Sequence, residues 1–213
     1  MIFSKYMLTL YAITDKGCLK GRDLFEQAEL ALQGGVTCLQ LRDKNMDTDT
    51  LAETASKLLK ICRRYGVPLI VNDNYSAALK SGADGVHVGI DDAPVAEIRR
   101  IAGKDFIIGA TAKTVEQAVR AEKAGADYIG VGAVFPSPTK KNAIRITPSQ
   151  LREIASSVDI PAVAIGGITA DNAGEIKGCG QCGIAVVSAV FAADDVKSAA
   201  EKLRRIAEED MDI

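Results

Sequence analysis

Thr114 to Ala124, followed by Gly125-Ala126-Asp127-Tyr128-Ile129, is the stretch that decides the fold. Val115, Ala118, Val119 and Ala121 share one face at helical spacing, and the apolar run after them predicts a buried strand. Gly125 tolerates the left-handed conformation that stops a helix. The same punctuation recurs at Gly34-Gly35-Val36, Gly82-Ala83-Asp84-Gly85-Val86 and Gly180-Gln181-Cys182-Gly183-Ile184.

Working outward from these marks, strands are predicted at about 8–13, 36–41, 68–72, 85–88, 106–110, 128–131, 161–165 and 183–187, each followed by a helix-compatible stretch. Near-continuous apolar strands separated by helices mean a parallel sheet covered by helices. Eight such units predict the α/β class and a closed (β/α)8, or TIM, barrel. An open doubly wound sheet usually has fewer strands and a phosphate loop after the first, and Thr14-Asp15-Lys16-Gly17 carries no such fingerprint. No linker or composition shift divides residues 1–213, so one barrel domain is expected to span them.

Composition narrows the function classes. Hydrophobic residues make up 47% and charged ones 25%, as in globular domains, and 213 residues can bury a core without disulfides or a structural metal. Aromatics are only 5%, with no Trp, so the interior is expected to be built from Val, Ile, Leu and Ala. The net charge is −2, with no long single-sign run, which argues against nucleic acid and anionic membrane as partners. The apolar stretch Met7 to Ile13 is too short to span a bilayer and lacks a cleavage pattern. A cytoplasmic location is therefore expected, and the odd count of five cysteines fits reduced thiols. Cys179-Gly180-Gln181-Cys182 has C-x-x-C spacing, but without a second ligand pair it reads as a Gly-rich turn.

In a (β/α)8 barrel the chemistry sits at the C-terminal ends of the strands, and unusual polar residues collect there. Period two sends Gln40, Arg42 and Lys44 to one face and Leu41 to the other. An amide and two cations on an inward stripe call for an anion, although an ion-pair partner for Arg42 and Lys44 is the structural alternative. The third strand ends in Asn72-Asp73-Asn74, and Asp91-Asp92 follows the fourth. Asp73 and Asp92 on adjacent strand ends suit Mg²⁺, which prefers one or two carboxylates, waters and substrate phosphate oxygens. Each could instead cap a helix, one beginning at Asn74 and the other near Pro94.

His87, the only histidine, reads as a hydrogen-bonded core residue of the fourth strand. Thr111 is placed just beyond the fifth strand, either at a substrate edge or as a helix cap near Thr114. Val134 to Lys141 is the longest loop, and its hydroxyls, lysines and prolines suggest a stiffened lid. Gly166-Gly167 and Val187-Ser188, after the seventh and eighth strands, occupy the recurrent phosphate site of this architecture. Two anion sites across one mouth suggest two small phosphorylated substrates being joined or exchanged. Oligomeric state is not legible.

These residues resemble the thiamine phosphate synthase family along nearly the whole chain. The resemblance rests on Gln40-Leu41-Arg42-x-Lys44, Val71-Asn72-Asp73, Gly85-Val86-His87-Val88-Gly89 with Asp92, Phe135-x-x-Pro138-Thr139-Lys140, Ala164-Ile165-Gly166-Gly167-Ile168 and Val186-Val187-Ser188. It implies that the run Gln40, Leu41, Arg42, Asp43 and Lys44, with Asn72, Thr111 and Lys140, binds the aminopyrimidine diphosphate. Arg42, Lys44, Lys140 and Thr111 would act on the leaving group. Asp73 and Asp92 would bind Mg²⁺, and Ser137, Pro138, Thr139, Gly167, Val187 and Ser188 would hold the thiazole phosphate. The family's reaction is understood to release pyrophosphate first and to trap a pyrimidine-methyl cation with the thiazole nitrogen. A related thiazole tautomerase shares the barrel but uses a histidine after the fifth strand, where this chain has Thr111-Ala112-Lys113-Thr114. Thr111 and Ser137 stand where the family commonly has serine and threonine, and Ile90 where it commonly has a polar residue.

Overall fold

The eight predicted strands form, and each pairs in parallel with the next until β8 returns to β1, closing a barrel. The structure is a computed structural model that describes residues 3–136 and 145–210. The strands are β1 (Leu10–Ile13), β2 (Cys38–Leu41), β3 (Leu69–Asn72), β4 (Gly85–Val88), β5 (Ile107–Ala112), β6 (Tyr128–Gly132), β7 (Ala162–Ile165) and β8 (Gly183–Val186). The helices are α1 (Lys16–Leu19), α2 (Leu24–Gln33), α3 (Thr48–Tyr65), α4 (Tyr75–Ser81), α5 (Val95–Ala102), α6 (Val115–Lys123), α7 (Pro148–Ala155), α8 (Ser188–Phe191) and α9 (Val196–Asp210). Among the described residues, no helix is long and apolar enough to cross a membrane.

Three expectations need correction. The connection from β7 to β8 carries only a 3-10 turn, Ala173–Ile176, in a stretch where Gly174 and Gly178 lower the helix propensity. β5 runs two residues further than predicted, so Thr111 lies inside the strand, opposite Gly130, and not beyond it. The interior is also not purely aliphatic. Tyr11 and Tyr128 are fully buried inside the barrel with Ile70, Ile107 and Val163, while Leu39, Leu41, Val71, Val86 and Ile129 alternate outward beneath the helices. Gly109 on β5 makes room for this, since a Cβ there would overlap the Tyr128 ring and the His87 imidazole.

The recurring Gly-Ala-Asp marks have a physical role at the start of the strands. Asp84 accepts from the Leu69 backbone N–H at 2.9 Å and pairs with Arg63 at 2.8 Å. Asp127 accepts from the Ile108 N–H and from Arg99, both at 2.7 Å. Each carboxylate ties a helix arginine to the neighbouring strand at the face opposite the chemistry. The mark before β8 lacks the carboxylate. There Gln181 donates to the Ile176 carbonyl at 2.8 Å, and its own carbonyl oxygen is buried with no hydrogen-bond partner among the described residues. Burial pushes the adjacent Cys182 thiol up to about 12, so at neutral pH it rests as the neutral thiol, a poor nucleophile. Cys182→Ser is accordingly expected to leave turnover within about 2-fold of the parent, whereas loss of activity in steady-state assay would restore a role for the pair.

Candidate active site

A cavity of about 210 Å³ opens at the C-terminal ends of the strands. Gln40, Arg42, Lys44, Asn72, Asp73, Asp92 and Thr111 line it from one side and Gly167, Val187 and Ser188 from the other. The two sets come from opposite ends of the chain, and barrel closure between β1 and β8 brings them together. Ser137, Pro138, Thr139, Lys140 and Lys141 lie outside the described residues.

On β2, Gln40 is buried at the barrel end, and Arg42 and Lys44 follow it outward. The structural partner weighed for Arg42 exists: its guanidinium meets the Asp15 carboxylate at 2.7 Å, and its backbone N–H donates to Thr14 Oγ1 at 2.9 Å. Asp15 also caps α1, accepting from Gly17 and Cys18, so the arginine is held from a fixed point while still lining the cavity. Leu41 and Asp43 point elsewhere. With Thr14, Lys16 and Met46 they line a neighbouring cavity of about 370 Å³, and Asp43 turns the loop by accepting from the Asn45 N–H at 2.8 Å.

Neither aspartate is a helix cap. Asn74, not Asp73, caps α4 by accepting from the Ala77 N–H, and α5 begins behind Pro94 with no side-chain cap. Asp92 instead accepts from the Gly89 N–H at 2.7 Å, which folds the loop after β4 back on itself. Asp73 holds a left-handed backbone, φ +59°, with its N–H on the His87 carbonyl at 2.8 Å. Aspartate is one of the few side chains that visits this region. Burial, then a hydrogen-bonded contact with Asp92 and the charge of that carboxylate, raise the Asp73 carboxyl to about 6, against the opposing charge of Lys44 and a hydrogen bond from Asn72. Two carboxylates in contact at a partly dry site form a place for a cation.

The pair has a consequence for the metal-free chain. A carboxyl raised in the folded state contributes stability that is present below its unfolded value and lost as pH rises through the folded one. The melting temperature should therefore fall between about pH 4 and pH 6 on account of Asp73, and Asp73→Asn should flatten that part of the slope. Calorimetric scans across this window test it; superimposable slopes for the two proteins would remove the like-charge pair.

Thr111 does not cap α6 either; Thr114 does, accepting from the Gln117 N–H. Thr111 Oγ1 lies 3.1 Å from His87 Nε2, and His87 Nδ1 lies 3.1 Å from the Tyr128 hydroxyl. That hydroxyl is 2.9 Å from Tyr11 Oη, which accepts from Gln40 Nε2 at 2.5 Å. A continuous polar chain thus crosses the barrel interior beneath the cavity. His87 is hydrogen-bonded, as expected, but it also lines the cavity. Tyr11 and Lys113 line the cavity too, and Tyr128 completes the chain. None was singled out from sequence. Tyr11, Tyr128 and His87 alternate inward within apolar strands, so the two-residue period was the available signal.

On the far side, Gly166 and Gly167 both have positive φ, +103° and +64°, and carry no side chain into the cavity. Ser188 begins α8 directly after Val187. A bare backbone beside a serine hydroxyl suits a phosphate group. One wall of the cavity therefore offers lysines, an arginine and a carboxylate pair, and the other an uncharged polar cup.

Known proteins share this sequence and this barrel. Residues 10–190 match the thiamine monophosphate synthase family. The thiamine-phosphate synthase of Ruminiclostridium cellulolyticum is 47% identical over 203 residues, covering 95% of this chain and 97% of that protein. That of Methanocella arvoryzae is 48% identical over 198 residues, covering 92% and 93%. The solved structure of thiamine phosphate pyrophosphorylase from Pyrococcus furiosus superposes with a TM-score of 0.89 at 43% identity, over 96% of this chain and 98% of that one. On its sequence and its barrel, the chain belongs to the thiamine monophosphate synthase family.

Proposed function

We propose that this chain joins 4-amino-5-hydroxymethyl-2-methylpyrimidine diphosphate to 4-methyl-5-(2-phosphoethyl)thiazole, giving thiamine phosphate and pyrophosphate. The observation that carries this reading is the single cavity with a cationic, carboxylate-bearing wall and a glycine–serine cup. In the proposed arrangement Gln40, Arg42, Lys44, Asn72, Thr111 and Lys140 hold the diphosphate, with Leu41 and Asp43 shaping the loop that carries them. Ser137, Pro138, Thr139, Gly167, Val187 and Ser188 hold the thiazole phosphate.

The donor set at Asp73 and Asp92 fits Mg²⁺. Burial and the touching Asp92 carboxylate raise the proton affinity of Asp73, which a cation would relieve, and among the described residues no group of three or more His, Cys, Asp or Glu offers a fuller cage. Mg²⁺ favours such a sparse site, because waters and substrate oxygens complete its shell. When bound, it would supply charge neutralisation for the diphosphate.

In the reaction, the bond between the pyrimidine methylene carbon and the diphosphate oxygen breaks, and its electron pair leaves with pyrophosphate. The thiazole nitrogen lone pair then forms the new C–N bond, and the positive charge ends on the thiazolium. The charges of Arg42, Lys44 and Lys140 stabilise the leaving diphosphate more than the bound ester, which lowers the barrel's barrier to ionisation. No side chain has to take a proton, because the nucleophile is a neutral nitrogen with its own lone pair. Keeping water from the cation matters more, and the loop beginning at Val134 is the proposed cover. A cytoplasmic location suits small phosphorylated substrates and free cysteines.

Pyrophosphate release from the pyrimidine diphosphate, measured with the thiazole phosphate in the presence and absence of Mg²⁺, tests the reading. Mg²⁺-dependent release with an equal amount of thiamine phosphate is expected. Tight binding of the thiazole phosphate without turnover would overturn it in favour of a sensor or an isomerase.

A further inference from the structure

The chain of hydrogen bonds from Gln40 through Tyr11, Tyr128 and His87 to Thr111 joins five strands, β2, β1, β6, β4 and β5, inside the barrel. We propose that this chain is a one-way relay, headed by the Gln40 amide, that holds His87 as the neutral Nε2–H tautomer and turns the Thr111 hydroxyl into a donor aimed at the substrate. Tyr11, Tyr128 and His87 are then positioning residues for the reacting diphosphate. The direction of the relay rests on hydrogen bonding alone. Only its consequence for Thr111 rests on the synthase reading above.

The direction follows from counting protons. An amide nitrogen can only donate, so Tyr11 Oη receives a proton from Gln40 Nε2. Burial, the largest cause, pushes both phenols well above their ordinary range, so each keeps its one proton to give. Tyr11 has two neighbours for its proton, the Tyr128 oxygen at 2.9 Å and the Cys38 thiol, which also contacts it. Sulfur is a weak acceptor and a phenol oxygen a good one, so the proton goes to Tyr128. Tyr128 then donates to His87 Nδ1, which must present its lone pair. A neutral imidazole with a bare Nδ1 carries its proton on Nε2, 3.1 Å from Thr111 Oγ1. The threonine oxygen accepts that proton, and its own hydroxyl proton is left for the cavity that Thr111 lines.

With the Gln40 nitrogen facing Tyr11, a reversed chain would leave the Tyr11 proton on sulfur; only an amide turned to present its oxygen to Tyr11 would let every link run the other way. The geometry supports the relay with space as well. A Cβ at Gly109 would overlap both Tyr128 and His87, and one at Gly130 would come within 3.0 Å of the His87 ring. Two inward glycines therefore keep clear the slot in which the ring is held by a partner at each nitrogen.

His87 is the only histidine, so its ring nitrogens can be observed without assignment by mutation. The experiment is nitrogen NMR on chain labelled with ¹⁵N-histidine, at about pH 8, above the ordinary histidine range. The expected result is a neutral ring protonated at Nε2. In Gln40→Glu the head of the relay can only accept, so every link should reverse and the proton should move to Nδ1. Where Gln40→Glu fails to fold, Tyr128→Phe serves: Nδ1 loses its phenol donor, and the share of the Nε2–H tautomer should fall. The same Tyr128→Phe protein should lose about 10-fold in kcat, the worth of one hydrogen bond to a charged group, with KM for the thiazole phosphate unchanged. An Nδ1–H ring in the parent protein, or a tautomer unmoved in both folded variants, overturns the relay. An Nε2–H ring in a protein with no turnover supports the relay and overturns the synthase reading instead.

Discussion

Asp92→Ala is expected to lower kcat by about 10³-fold, the scale seen when a charge-stabilising group is removed from a reacting centre. The barrel should stay folded, because Asp92 is exposed at the mouth and its contacts, with the Gly89 N–H and the Asp73 carboxyl, both lie at the mouth. It caps no helix, since α5 begins behind Pro94. A second signature separates loss of a metal ligand from loss of a loop bond. Removing Asp92 also removes the contact that, after burial, does most to raise Asp73. The remaining carboxyl should therefore titrate closer to the ordinary aspartate range, and the Mg²⁺ concentration needed for half-maximal activity should rise. Steady-state kinetics against Mg²⁺, with far-ultraviolet circular dichroism as the folding control, measure all of this. An Asp92→Ala enzyme of near-parent activity would sink the carboxylate assignment.

Gly167→Ala should weaken thiazole phosphate binding by about 100-fold, equivalent to roughly 2.7 kcal/mol. Its backbone sits at φ +64°, where a side chain costs about 1–2 kcal/mol by itself. A Cβ would also overlap the Pro136 carbonyl oxygen and crowd the Phe135 carbonyl, both at the start of the loop that follows β6. The substitution therefore pushes on the glycine–serine wall and on Phe135 and Pro136 together. The cationic wall lies across the cavity, so pyrophosphate binding in the presence of Mg²⁺ should stay within about 3-fold of the parent. Calorimetric titration with each anion separately gives the comparison. Equal weakening of both would mean that the cavity is one undivided anion site.

Much of this site was legible because the signals that mark it are local. Strand and helix alternation, the glycine marks and the two-residue period of β2 need only neighbouring residues. They were enough to place Gln40, Arg42 and Lys44 on one stripe, to bring Asp73 and Asp92 to adjacent strand ends, and to find Gly167 and Ser188 where barrels hold phosphate. Local reasoning left the caps open. Asn74 and Thr114 compete with Asp73 and Thr111 for the same role within three residues, and only the backbone path chooses between them. It misjudged the interior, since an aromatic content of 5% says nothing about where the few aromatics lie.

The sequence by itself determined the class of fold, the order of its elements and the chemical character of each strand end. The tertiary structure alone decided which side chains meet: Asp15 with Arg42, Asp73 with Asp92, and Tyr11 with Tyr128, 117 residues apart. The physical reason is the closed barrel. Its register sets which inward residues share a level, and that register comes from eight strands satisfying one another's hydrogen bonds at once, a condition no single segment contains.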